Sequence, residues 1–101
     1  MKAAVYYGPG DLRIEESPLP EIGPGDILLK VGACAICGTD MRIFRHGHRG
    51  VKIPQIVGHE IAGTVAEIGK DVKGYAVGDK VAVDPIVSCG ECFYCRRGLT
   101  N

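Results

Sequence analysis

Three cysteines recur at a constant spacing in "CGECFYC": Cys89, Cys92 and Cys95, with Gly90 in the first gap. Thiols crowded this closely converge when the chain folds around something that neutralises them, and zinc suits sulfur ligands and takes them as a tetrahedron. A zinc tetrahedron asks for four ligands, and this series supplies three. A second set of metal-capable groups lies earlier. "CGTD" at 37–40 and "GHE" at 58–60 put the thiol of Cys37 and the imidazole of His59 near the ends of consecutive predicted elements, beside the carboxylates of Asp40 and Glu60. On spacing alone, a shared metal competes here with a small buried thiol and an ordinary hydrogen-bonded histidine. Cys34 and Cys37 also form C-x-x-C, but a redox pair of that kind opens a helix in a βαβ unit. Cys34 lies in a strand pattern and is expected to be buried and inert.

The elements that must hold these groups are mostly strands. "KAAVYY" and "LRIEES" flank the turn "GPGD" and predict a hairpin, because two glycines admit positive φ and proline fixes one dihedral. After a second "GPGD", "DILLKVGACAI" alternates at a period of two, as a strand does. "IVGHEIAGTVAEIG" and "DKVAVDP" continue that style, and Gly58 and Gly63 predict bulges or corners where a sheet bends. One short helix is expected in "TDMRIFRHG", capped by Thr39 or Asp40, with Ile43 and Phe44 inward and Gly47 at its end. The fold class is mainly β, a barrel-like domain with one short helix.

Composition narrows the function. The chain has 101 residues, suiting one compact domain that would bury roughly 60–70% of its unfolded surface. Twelve basic residues balance twelve acidic ones, and the basic run "RIFRHGHRG" is local, so a general nucleic-acid footprint is missing. No apolar run approaches the ~18–20 residues that span a bilayer, and the first residues do not read as a secretory signal. A cytoplasmic protein handling small molecules is the expectation, with no membrane partner. Five cysteines without an export signal favour metal ligation or free thiols over disulfides.

Taken together, "ICGTD", "IVGHEIAGTVAEIG", "VGDKVAV" and "CGECFYC" resemble, in order and separation, the N-terminal GroES-like catalytic domain of zinc-dependent alcohol dehydrogenases in the medium-chain dehydrogenase/reductase superfamily. The resemblance covers essentially residues 1–101 and implies a partly open β-barrel. It also implies that residues 86–101 are an incomplete structural-zinc lobe, whose fourth cysteine would lie beyond Asn101, in a fragment of a longer enzyme. By motif position, Cys37 and His59 match two ligands of a catalytic zinc, and Glu60 matches an acidic neighbour able to coordinate it. Asp40 matches the carboxylate that orients the ligand imidazole, and Thr39 the hydroxyl that relays a substrate proton. Cys89, Cys92 and Cys95 match structural-zinc ligands. Arg42 stands where many relatives carry a histidine.

The activity implied is hydride transfer between an alcohol, of secondary or polyol type, and NAD(P), assisted by zinc as a Lewis acid. Polyol, threonine and secondary-alcohol dehydrogenases are the nearest branches in style. No G-x-G-x-x-G opens a helix after a strand, so the cofactor-binding Rossmann domain is absent and the fragment alone is expected to be inactive. The alternative is a stand-alone zinc-binding GroES-like interaction module without catalysis. Unpaired strand edges would favour a homodimer or larger oligomer, with segment swapping as one route.

Overall fold

The computed structural model describes residues 1–100. Two antiparallel three-stranded sheets form an open, mainly β structure with one helix. In the first sheet β1 (Lys2–Gly8) lies between β2 (Asp11–Glu16) and the short β4 (Gln55–Ile56). In the second, β5 (Glu60–Ile68) lies between β3 (Ile27–Ala35) and β6 (Lys80–Ala82). The helix α1 (Gly38–His46) follows β3.

The stretch 56–69 does not run as one strand. Gly58, at φ 111°, breaks it, so β4 ends in the first sheet and β5 begins in the second. A side chain at Gly58 would also meet the Cys34 sulfur, its Cβ falling 2.7 Å away. Both the turn and the close approach require glycine here. His59 is thereby delivered to the crossing between the sheets.

The β3–β5 ladder carries two irregularities. Leu28 pairs with Glu67 and Leu29 with Val65, leaving Ala66 extra, while Val31 pairs with Gly63 and Ala33 with Ala62, leaving Gly32 extra. Such bulges bend a sheet. Gly63 faces the second one, where an added Cβ would lie 2.5 Å from the Lys30 carbonyl oxygen and 3.2 Å from Val31 Cα. The obstruction is backbone, which cannot rotate aside. Gly63→Ala is therefore expected to destabilise the domain by ~1–3 kcal/mol, as overpacking does. Urea unfolding reads this directly, and an unchanged midpoint would contradict the bend.

Burial is lighter than expected. Ala3, Val5, Tyr6 and Val65 are the buried apolar side chains among the described residues, and Ile14, Leu19, Ile36, Val77 and Val87 are each well over half exposed. The accessible surface is 7966 Å², against roughly 5,500 Å² for a compact protein of this mass. About half of the unfolded surface is buried, not 60–70%. The radius of gyration, 15.7 Å, likewise exceeds the ~13 Å of a compact chain of this length. The cause is geometric: two three-stranded sheets leave apolar faces uncovered. Cys34, expected inside, is exposed although its sulfur lies against Gly58, because the sparse packing buries few side chains of β3.

Candidate metal centres

The Cys37–His59 site is assembled by the two ends of the same scaffold. Tyr6, 3% exposed on the central strand β1, donates its hydroxyl to the Ile43 carbonyl at 2.9 Å. Gly10 N–H donates to Phe44 O at 2.8 Å, and Gly47, at φ 73°, closes α1 by donating to Ile43 O. These bonds dock the last turn of α1 on the β1–β2 hairpin. On the other side, Val5 and Tyr6 pair with Ile56 and Gln55, and Val57 N–H donates to Ala4 O at 3.1 Å. The helix bearing Cys37 and the loop bearing His59 thus share β1 as a reference.

The cap of α1 is Cys37 itself, not Thr39 or Asp40. Its sulfur accepts the Thr39 N–H at 3.2 Å, and the Asp40 carboxylate accepts the Cys37 N–H at 3.0 Å, a capping box with a thiol in the serine or threonine place. Sulfur is an unusual cap, so the standard residue preferences point two or three positions too late.

Across the gap, Cys37 Sγ lies 3.2 Å from His59 Nε2, while Asp40 Oδ1 lies 3.3 Å from His59 Nδ1. One imidazole therefore has sulfur at one nitrogen and carboxylate at the other. All three are half-buried. A carboxylate at Nδ1 fixes the tautomer that leaves Nε2 free as a ligand. Cys37 Sγ and His59 Nε2 lie close enough to share a small cation of mixed sulfur and nitrogen preference such as zinc, with the Asp40 carboxylate behind the ring at Nδ1. Glu60 is exposed and stands outside this cluster; Thr39 is exposed beside it, one residue into the helix.

The second cluster is a tight loop. Gly90, at φ 75°, turns the chain after Cys89, and a single 3-10 turn over Cys95–Arg97 brings the third cysteine back. Cys89 Sγ and Cys92 Sγ lie 3.8 and 3.5 Å from Cys95 Sγ, and Cys92 N–H donates to Cys89 Sγ. The backbone N–H groups of Glu91 and Cys92 lower the Cys89 pKa to about 7, helped by the neighbouring thiols, and the Cys95 N–H lowers that of Cys92. Backbone donors aimed at sulfur are what a thiolate–metal loop needs. The Arg97 guanidinium lies 3.5 Å over the Phe93 ring, which meets Tyr94 edge-on, and this packing joins the turns of the loop. Sequence reading missed this stack and the Tyr6 anchor. An aromatic four residues before an arginine was the available signal for the first.

The comparisons agree on one family. The alcohol dehydrogenase GroES-like domain matches residues 23–101. Sorbitol dehydrogenase of Mus musculus is 46% identical over 96% of the chain and 28% of its own length. A zinc-dependent alcohol dehydrogenase of Streptococcus, solved in the apo form, is 36% identical with a TM-score of 0.80 and is matched over 97% of this chain and 28% of its own. An Escherichia coli CFT073 alcohol dehydrogenase, solved with NADH, is 38% identical with a TM-score of 0.86, over 99% and 29% respectively. The chain thus spans less than a third of the length of these relatives.

Proposed function

The chain belongs to the alcohol dehydrogenase GroES-like domain family, and from that premise we propose that it supplies the zinc-binding catalytic portion of an NAD(P)-dependent dehydrogenase acting on a polyol or secondary alcohol. The observation that carries this reading is the doubly engaged imidazole of His59, with the Cys37 sulfur at Nε2 and the Asp40 carboxylate at Nδ1. Cys37 and His59 would hold zinc, with Glu60 near enough in sequence to join on rearrangement. When bound, zinc acts as a Lewis acid that makes an alcohol proton easier to lose.

The chain's own residues supply the rest. Asp40 holds His59 in one tautomer while its other oxygen accepts the Cys37 N–H, so one carboxylate orients both ligands. Thr39, at the exposed rim, would accept the substrate hydroxyl proton at Oγ1 while releasing its own hydroxyl proton to solvent water. Cys89, Cys92 and Cys95 would hold a structural zinc together with a fourth ligand, which would tie the turns of their loop together. The nicotinamide must be presented by chain outside these residues, since no dinucleotide fingerprint follows a strand here. The uncovered apolar faces and the free outer edge of β3 also support assembly with further chain or a second copy, as a homodimer or larger oligomer.

Absorbance of reduced nicotinamide tests the proposal. A longer protein containing this chain should reduce NAD+ or NADP+ with sorbitol-like polyols or secondary alcohols, and should lose that activity on removal of zinc. The 101-residue chain alone should give no turnover. Turnover by the isolated chain, or zinc-independent turnover by the longer protein, would overturn the reading.

A further inference from the structure

We propose that Cys89, Cys92 and Cys95 form a three-sulfur site for a thiophilic metalloid, trivalent arsenic, which needs no fourth ligand and takes the place of zinc. The sulfurs already stand as the base of a small pyramid. Cys95 Sγ lies 3.5 Å from Cys92 Sγ and 3.8 Å from Cys89 Sγ, and all three fall within 4.8 Å of one another. Zinc bonded at ~2.3 Å to the sulfurs of a tetrahedron would set them about 3.8 Å apart. Trivalent arsenic makes three bonds and keeps a lone pair at the fourth corner, which presses those bonds together and suits the shorter edge as well. Among the described residues no other cysteine, histidine or carboxylate joins the trio. For zinc that leaves a corner to fill; for trivalent arsenic it leaves none. Soft thiolate sulfur matches a soft centre of this kind.

The loop is also shaped to receive such a ligand. A cleft of about 440 Å³ takes in the three cysteines together with chain that enters the loop, Val87 and Ser88, and chain that leaves it, Tyr94 and Leu99. Cys89 and Cys92 are exposed and Cys95 is half-buried, so the sulfurs can be reached from solvent. Gly90, at φ 75°, turns the loop, the Cys92 N–H donates to Cys89 Sγ, and Arg97 lies over Phe93. A trio held this way loses little freedom on binding, and once one bond has formed the other two are intramolecular. Arsenous acid reacts by exchange alone. Three S–H and three As–O bonds break, three As–S and three O–H bonds form, and three water molecules leave. Arsenic stays trivalent and each sulfur keeps its oxidation level, so no oxidant or reductant takes part. Cys34 and Cys37, the remaining cysteines, offer two sulfurs at most, and that of Cys37 is engaged by His59 and the Thr39 N–H.

The inference concerns thiol chemistry and stands independently of the dehydrogenase reading. The test is a titration of the reduced 101-residue chain with sodium arsenite, followed by the near-ultraviolet absorbance of As–S bonds and by the mass of the intact chain. One arsenic per chain is expected, with a mass gain of one arsenic less three hydrogens. Cys89→Ser, Cys92→Ser and Cys95→Ser should each weaken binding by at least ~100-fold, since each leaves two bonds in place of three. The Cys34→Ser/Cys37→Ser double variant should bind as the wild type does, and serine is a good helix cap, so α1 is kept. Added to the zinc-loaded chain, arsenite should release the zinc of the trio, read with a colorimetric zinc indicator. Amide spectra of the cysteine variants should match the wild type outside residues 86–100, which separates loss of a ligand from loss of the fold. Binding that is unweakened in Cys92→Ser, or lost in Cys34→Ser/Cys37→Ser, would overturn the proposal, as would a mass gain showing fewer than three hydrogens displaced.

Discussion

Cys37→Ala or His59→Ala, made in a longer protein that contains this chain, should lower the kcat/KM of the proposed dehydrogenase activity by about 10³-fold or more, because each would remove a proposed zinc ligand on which several kcal/mol of Lewis-acid stabilisation would depend. The graded variant is Asp40→Asn. A carboxylate has two oxygens, and here one accepts from the Cys37 N–H while the other faces His59 Nδ1. An amide has a single acceptor oxygen, so one of these two contacts must be lost. The expected cost is about 10–100-fold in metal affinity, the usual range for a group that orients a ligand, with folding nearly unchanged if the cap contact is the one retained. Metal content and kcat/KM measured on all three proteins should therefore rank Asp40→Asn between wild type and the two ligand variants. Full activity in both Cys37→Ala and His59→Ala would remove the catalytic assignment. An Asp40→Asn protein with wild-type metal affinity would show that the His59 contact does not tune the site.

Much of this site can be read in the sequence, for reasons that differ from residue to residue. The period-two patterns of 27–35 and 60–68 are local, and strand pairing preserved them as β3 and β5. Gly47 ends α1 because a positive φ is needed there, and glycine announces such positions. The cap was misread because the residue in the serine place is a cysteine, for which cap preference carries little weight. Cys34 was misplaced because the burial of a strand residue depends on what covers the sheet, which no local pattern encodes. The break at Gly58 was foreseen as a bend, but not as a transfer between sheets. That transfer depends on Val5 and Tyr6 capturing Ile56 and Gln55, a long-range pairing of only two residues. The Tyr6 anchor belongs to the same class: an aromatic in a strand announces burial, but not the helix carbonyl its hydroxyl will find.

The cysteine loop gives the second large effect. A complete four-ligand zinc site contributes ~10–16 kcal/mol of apparent binding free energy at neutral pH, whereas Cys89, Cys92 and Cys95 offer three thiolates. Zinc on the 101-residue chain should therefore be substoichiometric and exchange readily with a mild chelator. Cys92→Ser should reduce what remains by at least ~100-fold, since it leaves two sulfurs of the trio. The pH dependence has a definite sign. Backbone donors hold Cys89 at about 7, so the thiolate is the major form above that pH and the thiol below it. Zinc binding must displace the proton from any thiol, so Cys89 should add its proton to the pH dependence of affinity only as the solution is acidified below about pH 7, and not from the ~8.5 of an ordinary cysteine. In metal-free protein the rate of Cys89 alkylation, followed by mass spectrometry of the labelled peptide, should show the same midpoint, because the thiolate is the nucleophile. A midpoint near 8.5 would mean that the Glu91 and Cys92 N–H groups do not point at the sulfur in solution. Zinc held at about two ions per chain through chelation would mean that other donors complete both sites within these residues.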